Sequence, residues 1–316
     1  MNEFSLIQQF FKSIAATKTS VLVGIGDDAA CLSIPNNKTL LVSTDTLVSG
    51  VHFLPEWDAY DIASKAVLVN VSDMAAMAAE PQWITLALTL PDVNEPWLQA
   101  FANGLKNRLT QFNIDLVGGD TTRGPLSITI TIMGLAPPDQ VVLRSGAKQG
   151  DIILVSGRLG GAALALKLIN QSLPAENRIE LMNKLHHPRA RVDLIPFLRK
   201  YATAAIDISD GLSADLNHIC VASGVGATIF QNKLPLHTLL NTYCPDEAID
   251  LALRGGDDYE LCFTVPFELV DDLMYDLKTA DMACFPIGMI EAQSGLRMQL
   301  PDGGFESIRP RGYTHF

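Results

Sequence analysis

Basic residues are in short supply: 23 lysines and arginines stand against 35 acids over 316 residues, a formal net charge of −12. A surface of that sign repels a phosphate backbone or an anionic bilayer, so nucleic-acid and membrane partners are disfavoured unless cations intervene. Long apolar runs are missing as well. The stretch ITLALTL at 84–90 is far short of a bilayer span, and the opening residues MNEFSLIQQFFKSIA lack the basic start and cleavage site of a signal peptide, which predicts cytoplasmic residence. The five cysteines (Cys31, Cys220, Cys244, Cys262, Cys284) form no CxxC pair and are odd in number. That excludes a disulfide framework and a zinc ribbon, and predicts reduced core residues. The chain also has no GxxxxGK[ST] loop and no HRD or DFG set, while GIGDDAA at 24–30 lacks the last glycine of a dinucleotide fingerprint. Low-complexity tracts, like-charge blocks and short internal repeats are absent.

What remains is a globular composition, 48% hydrophobic and 18% charged, long enough for two domains of roughly 150 residues. The segment PPDQVVLRSGAKQGD at 137–151, rich in proline, glycine and polar residues, marks the junction, giving domains 1–137 and 138–316. Apolar spacing predicts an amphipathic helix over 4–14 and helices near 58–79 and 95–112, with strands at 39–45, 84–91, 115–120 and 127–136. Strands at 152–157 and 203–210, helices after each, a strand at ELCFTVP, a helix near 268–279 and a strand at CFPIGMI continue an α/β order.

Four apolar runs end on aspartate: LVGIGDD (Asp27, Asp28), LLVSTD (Asp45), DLVGGD (Asp120) and AAIDISD (Asp207, Asp210). Strands buried on both faces read as such runs, and residues just past their ends point into the crevice where α/β proteins bind ligands. Any one of these acids could be a turn or cap residue; four in such similar settings favour convergence on one pocket. Asp73 lies inside the helical stretch KAVLVNVSDMAAMAA, where a carboxylate is expected to be buried and to need a remote arginine, a helix N-terminus or a metal ion. Oxygen donors of this kind suit magnesium. His52 stands alone in GVHF, a setting in which histidine is more often structural. Arg144 and Lys148 in RSGAKQGD can wrap an anion; Arg189 and Arg191 in HHPRAR could also meet a phosphate, but a His-Pro turn followed by a helix with solvent-facing arginines is the favoured reading.

Taken together and in order, GIGDDAA, STDTLVSGVHF, VNVSDMAAM, GGDTTRGP, RSGAKQGD, IDISDGLSADLNHI and GGDDYELCFT resemble the thiamine-monophosphate kinase family over nearly the whole chain. Single motifs recur in aminoimidazole ribonucleotide synthetase, selenophosphate synthetase and a hydrogenase maturation protein, so only the set points to the kinase. The resemblance implies an α/β (α+β) two-domain aminoimidazole ribonucleotide synthetase-like fold. It implies a homodimer whose N-terminal metal- and ATP-binding domains pair their sheets into an interfacial barrel, with an α/β C-terminal domain. It also implies ATP-dependent phosphorylation of thiamine monophosphate to thiamine diphosphate by magnesium-assisted transfer. Matched motif by motif, Asp27, Ser43, Thr44, Asp45, Asp73, Asp120, Asp207 and Asp210 would form the magnesium shell, with Asp27, Asp45, Asp73, Asp120 and Asp210 central to catalysis. Gly119, Asp120, Arg144 and Ser209 would meet ATP, and His52, Glu260 and Tyr313 the thiamine phosphate; an acid such as Glu260 suits the cationic thiazolium. In GGDDYEL the family usually shows glutamate at the position of Asp257. A sister ATP-using enzyme of the same superfamily and a non-catalytic nucleotide- or magnesium-binding protein are the competing readings. The missing reactive cysteine in a glycine-rich N-terminal segment and the C-terminus RGYTHF argue against the sister enzymes.

Overall fold

The structure, a computed structural model, describes residues 3–14 and 18–315. It divides into two compact units, Met1–Met74 with Ala79–Asp139, and Ala75–Ala78 with Gln140–Phe316.

In the first unit, β1 (Val21–Val23) and β2 (Cys31–Leu32) form a small antiparallel pair, and β3 (Thr39–Val48), β4 (Glu80–Leu90), β5 (Asp115–Arg123) and β6 (Ser127–Ala136) form a sheet in the order β3-β6-β4-β5. Only β4 and β5 run parallel, because the helix Glu95–Gln111 carries the chain across between them. That helix starts where Asn94 accepts the Trp97 amide and Pro96 occupies the first turn. The register of β3 on β6 runs unbroken from Thr39–Ala136 to Val48–Ser127. Strand alternation then divides the sheet. Ile128, Ile130, Ile132, Leu41 and Leu47 point to the buried side, where Met74 of the helix Ala59–Ala76 lies against Gly134. On the opposite side Thr44 pairs with Thr131 (2.9 Å) and Thr46 with Thr129 (2.8 Å), and Val42 is 58% exposed. The expectation of strands buried on both faces therefore fails for β1 and β3 of this unit, although Asp115, Leu116 and Val117 at the start of β5 are all buried.

It holds in the second. The strands β7 (Ile152–Val155), β8 (Ala204–Asp207), β9 (Gly226–Phe230), β10 (Leu261–Val265), β11 (Phe285–Glu291), β12 (Gly295–Gln299) and β13 (Phe305–Ile308) join in the order β13-β12-β9-β11-β7-β10-β8. Ile153, Val155, Ile206 and Cys262 enter one core with the helix Leu212–Ser223; Leu154, Ala205, Leu261 and Phe263 enter another with the helices Ile195–Tyr201 and Val270–Thr279. Burial on both faces produced the unbroken apolar runs. All pairings but β9 with β12 are antiparallel, so this is a mixed α+β layer and not a parallel doubly wound sheet.

The opening segment is helical as expected but irregular, an α turn (Glu3–Leu6), a wide π turn (Ile7–Phe11) and a tight 3-10 turn (Lys12–Ile14), with Phe10 and Phe11 buried. Cys220, Cys262 and Cys284 are core residues, and burial pushes the Cys220 thiol up to about 11 and that of Cys284 to about 12. Cys31 is exposed and Cys244 half-buried, which corrects the reading of all five as core. Among the described residues no helix is long and apolar enough to cross a membrane.

Candidate active site

The period-two alternation of β3 turns Ser43 and Asp45 to the same side as the helix Ala59–Ala76, which carries Asp73. The Ser43 hydroxyl donates to Asp73 Oδ2 at 2.5 Å. Burial, and secondly the charge of Asp73, push the Asp45 carboxyl up to about 6. Two carboxyls and a hydroxyl thus meet in a half-buried niche; Asp73 itself is half-buried, less enclosed than the helix pattern predicts. Thr44 stands between Ser43 and Asp45 in sequence and on the other side of the sheet in space. Its hydroxyl pairs with Thr131 on that side, away from Ser43 and Asp45, so toward the niche it offers only main-chain atoms.

The loop 24–30 between β1 and β2 and the stretch 118–121 of β5 are two walls of one cavity of about 600 Å³, which brings Asp27 and Asp28 together with Gly119 and Asp120. Ile7 and Phe11 also line it, so the opening segment, expected to be scaffold only, contributes to this site. Asp27 is exposed and its Oδ1 accepts the Asp28 amide at 2.8 Å. At Gly119 a Cβ would lie 1.9 Å from the Leu86 carbonyl oxygen. We expect Gly119→Ala to force β5 off β4 at a cost of at least about 2 kcal/mol, the upper range of overpacking, read as a lower urea midpoint. His52 sits in the turn after β3, its Nδ1 accepting the Val48 amide at 3.0 Å, which leaves the proton of a neutral ring on Nε2.

In the second unit Asp207 closes β8 and is buried, and the turn that follows carries Ser209 and Asp210 into the helix Leu212–Ser223. Asp215, absent from the expected set, holds this turn: its Oδ2 accepts the amides of Asp210 (3.1 Å) and Gly211 (3.0 Å). Burial foremost, then the charge of Asp210, raise its carboxyl to about 7 against the opposing pull of those amides and of Arg144. An acid four residues past Gly211 at a helix start was the available signal. The C-terminal segment is sewn onto the same turn. Tyr313 donates its amide to the Asp210 carbonyl (3.1 Å), and the Ser213 hydroxyl donates to the Arg311 carbonyl (2.7 Å). The Tyr313 ring, 48% exposed, meets His315 edge-on at 5.0 Å. Ser209, Asp210, Arg144 and Tyr313 thus share one neighbourhood. Asp257 donates its amide to the Ser209 carbonyl from a left-handed conformation (φ 69°), which a short aspartate tolerates better than glutamate.

Glu260 has different surroundings. It is 3% exposed and lines a second cavity of about 490 Å³. Its Oε2 accepts from Ser156 Oγ (2.6 Å) and from Arg191 Nη1 (2.9 Å), and its Oε1 lies 3.6 Å from Lys184 Nζ. Arg191, expected to face solvent, is 3% exposed; its Nη1 also donates to the Ser156 carbonyl. Burial opposes its charge, but Glu260 and Asp193 outweigh it and the pKa is raised. Arg189 does reach outward, to Asp193.

Among the described residues no three histidine, cysteine or acidic side chains gather closely enough to form a closed metal cage. The oxygen-only pairing of Asp45 and Asp73 with Ser43 fits magnesium, which keeps its waters and takes one or two carboxylates.

The models of the AIR synthase related protein N-terminal and C-terminal domains match residues 26–136 and 148–301. The thiamine-monophosphate kinase of Salmonella typhimurium is 48% identical over 99% of this chain and 98% of its own length. The chain belongs to the thiamine-monophosphate kinase family. The crystal structure of the Stenotrophomonas maltophilia K279a kinase is 44% identical and superposes with a TM-score of 0.87, covering 96% of this chain and 97% of the other. A structure of AaThiL complexed with AMPPCP and TMP, 34% identical, superposes at 0.80 over 99% and 97%. The mixed two-domain fold of this family is therefore the fold of this chain.

Proposed function

We propose that this chain transfers the terminal phosphoryl group of ATP directly to thiamine monophosphate, giving thiamine diphosphate and ADP. The observation that carries the reading is the full-length likeness to a kinase held with an ATP analogue and TMP together. The acceptor oxygen already bears charge and needs no base; the obstacle is the approach of two polyanions, which positioning and charge neutralisation overcome. Magnesium would supply that neutralisation when bound. Asp45 and Asp73 with Ser43 would hold it, joined by Asp27, Asp120, Asp207, Asp210 and the main chain of Thr44. Gly119, Asp120, Arg144 and Ser209 would position the nucleotide, and His52, Glu260 and Tyr313 the thiamine phosphate. Arg144 adds a fixed positive fork beside the Asp210 turn.

The working form would be a cytoplasmic homodimer, its first units joined through the threonine-bearing sheet face into a barrel; the exposure of Val42 on that face supports this. The acidic net charge speaks against nucleic-acid or membrane partners. Product analysis with thiamine monophosphate, ATP and magnesium is expected to yield thiamine diphosphate and ADP in equal amounts. ADP appearing without thiamine diphosphate would refute the reading.

A further inference from the structure

The arginine proposed to meet the nucleotide sits on a loop that is anchored on both sides and open in the middle. Upstream, the Leu143 carbonyl accepts the Ala205 amide at 3.0 Å. Downstream, Ala147 is buried in the core and the Lys148 amide donates to Asp151 Oδ2 at 2.9 Å, an oxygen that also accepts from Thr203 Oγ1 at 2.6 Å. Between these anchors Arg144, Ser145 and Gly146 are exposed. One side chain grips their main chain. The Ser223 hydroxyl accepts the amides of Gly146 (3.1 Å) and Ala147 (3.2 Å) and donates to the Arg144 carbonyl (3.3 Å). A serine hydroxyl has one proton and two lone pairs, so this loop takes its whole capacity. Gly146 lets the loop come in so close: its φ is 128°, and a Cβ there would lie 2.3 Å from the Thr203 carbonyl oxygen.

Ser223 is the last residue of the helix Leu212–Ser223, whose start carries the Ser209–Asp210 turn. Asp215, in the first turn of that helix, holds the Asp210 and Gly211 amides and is also the acid on which the Arg144 charge acts. Arg144 thus has its main chain fixed at one end of the helix while its charge is felt at the other, about 12 Å away along the axis at 1.5 Å per residue. We infer that Ser223 is a positioning residue for the nucleotide: by tying the main chain of Arg144 to the far end of the helix that presents Ser209 and Asp210, its hydroxyl sets where the guanidinium stands relative to that turn. The helix is then a ruler between the two parts of the phosphate grip. The inference rests on Arg144 meeting the nucleotide.

The test is titration calorimetry with a non-hydrolysable ATP analogue and magnesium, on wild type, Ser223→Ala, Ser223→Thr, Arg144→Ala and the double variant Ser223→Ala with Arg144→Ala; thermal melting checks the fold. Arg144→Ala should weaken binding roughly tenfold to a hundredfold, the scale of a hydrogen bond to a charged group, and Ser223→Ala roughly threefold to tenfold, the scale of an ordinary one. Ser223→Thr keeps the hydroxyl and should bind as wild type does. In the double variant the loss of Ser223 should weaken binding no further than Arg144→Ala alone, because a positioning residue has no effect once the group it positions is gone; a merely structural serine would add its loss in either background. In turnover, Ser223→Ala should raise the KM for ATP and leave the KM for thiamine monophosphate unchanged. Ser223→Ala binding as tightly as wild type, or losses that add in the double variant, overturn the inference while the kinase reading stands, since product analysis decides that separately. Wild type that binds no nucleotide brings both down.

Discussion

Replacing Asp45 by asparagine is expected to lower turnover by about a hundredfold to a thousandfold while raising the melting temperature of the metal-free protein at neutral pH. The loss follows from removing one anionic donor from the niche proposed to hold magnesium for charge neutralisation, where single preorganised groups are worth about that much. The gain follows from the niche itself. Burial and the Asp73 charge hold the Asp45 carboxyl up to about 6, above the value near ~3.9 of an unfolded chain. Between those values the folded chain keeps a proton that the unfolded chain releases. The destabilisation is therefore complete above 6 and is relieved as the pH falls through 6 toward 4. Melting curves in chelator should show the variant ahead of wild type at neutral pH, with the gap narrowing as the pH is lowered toward 5. A variant that melts below wild type at neutral pH, or that keeps normal turnover with magnesium, contradicts this account of the niche.

The second large effect concerns Arg191. Truncating it to methionine leaves Glu260 buried with its main partner gone, and breaking a buried pair from one side costs about 3–5 kcal/mol. Removing both charges, Arg191→Met with Glu260→Met, is expected to recover most of that stability, because the cost lies in the orphaned charge and not in the lost attraction. Urea denaturation of the two single variants and the double variant measures the coupling. Additive losses would show that Arg191 stabilises by packing alone.

How far the sequence could be read depended on the range of the forces involved. The strand Ser127–Ala136 and the helix Glu95–Gln111 were legible because apolar spacing and the Asn94 cap are local signals. The apolar runs that open β5 and form β8 rightly announced burial on both faces, whereas LLVSTD looked the same and is half open, since an edge strand with one solvated face can still carry leucine and valine. Whether neighbours run parallel was hidden, because pairing joins residues far apart in the chain. At the site, the gathering of Ser43, Asp45 and Asp73 followed motif reading, while the period of two should have set Thr44 aside at once. Arg191 could not be separated from Arg189 by composition. Its partner lies 69 residues away, and only the folded chain buries one and not the other.

The thiols add a practical consequence. Three of the five are sealed in the core with their reactivity suppressed, and Cys244 is half covered, while Cys31 is open to solvent directly beside the 24–30 loop. A maleimide fluorophore offered to the native protein would attach first at that position, beside the loop proposed to hold magnesium, with no engineered cysteine needed.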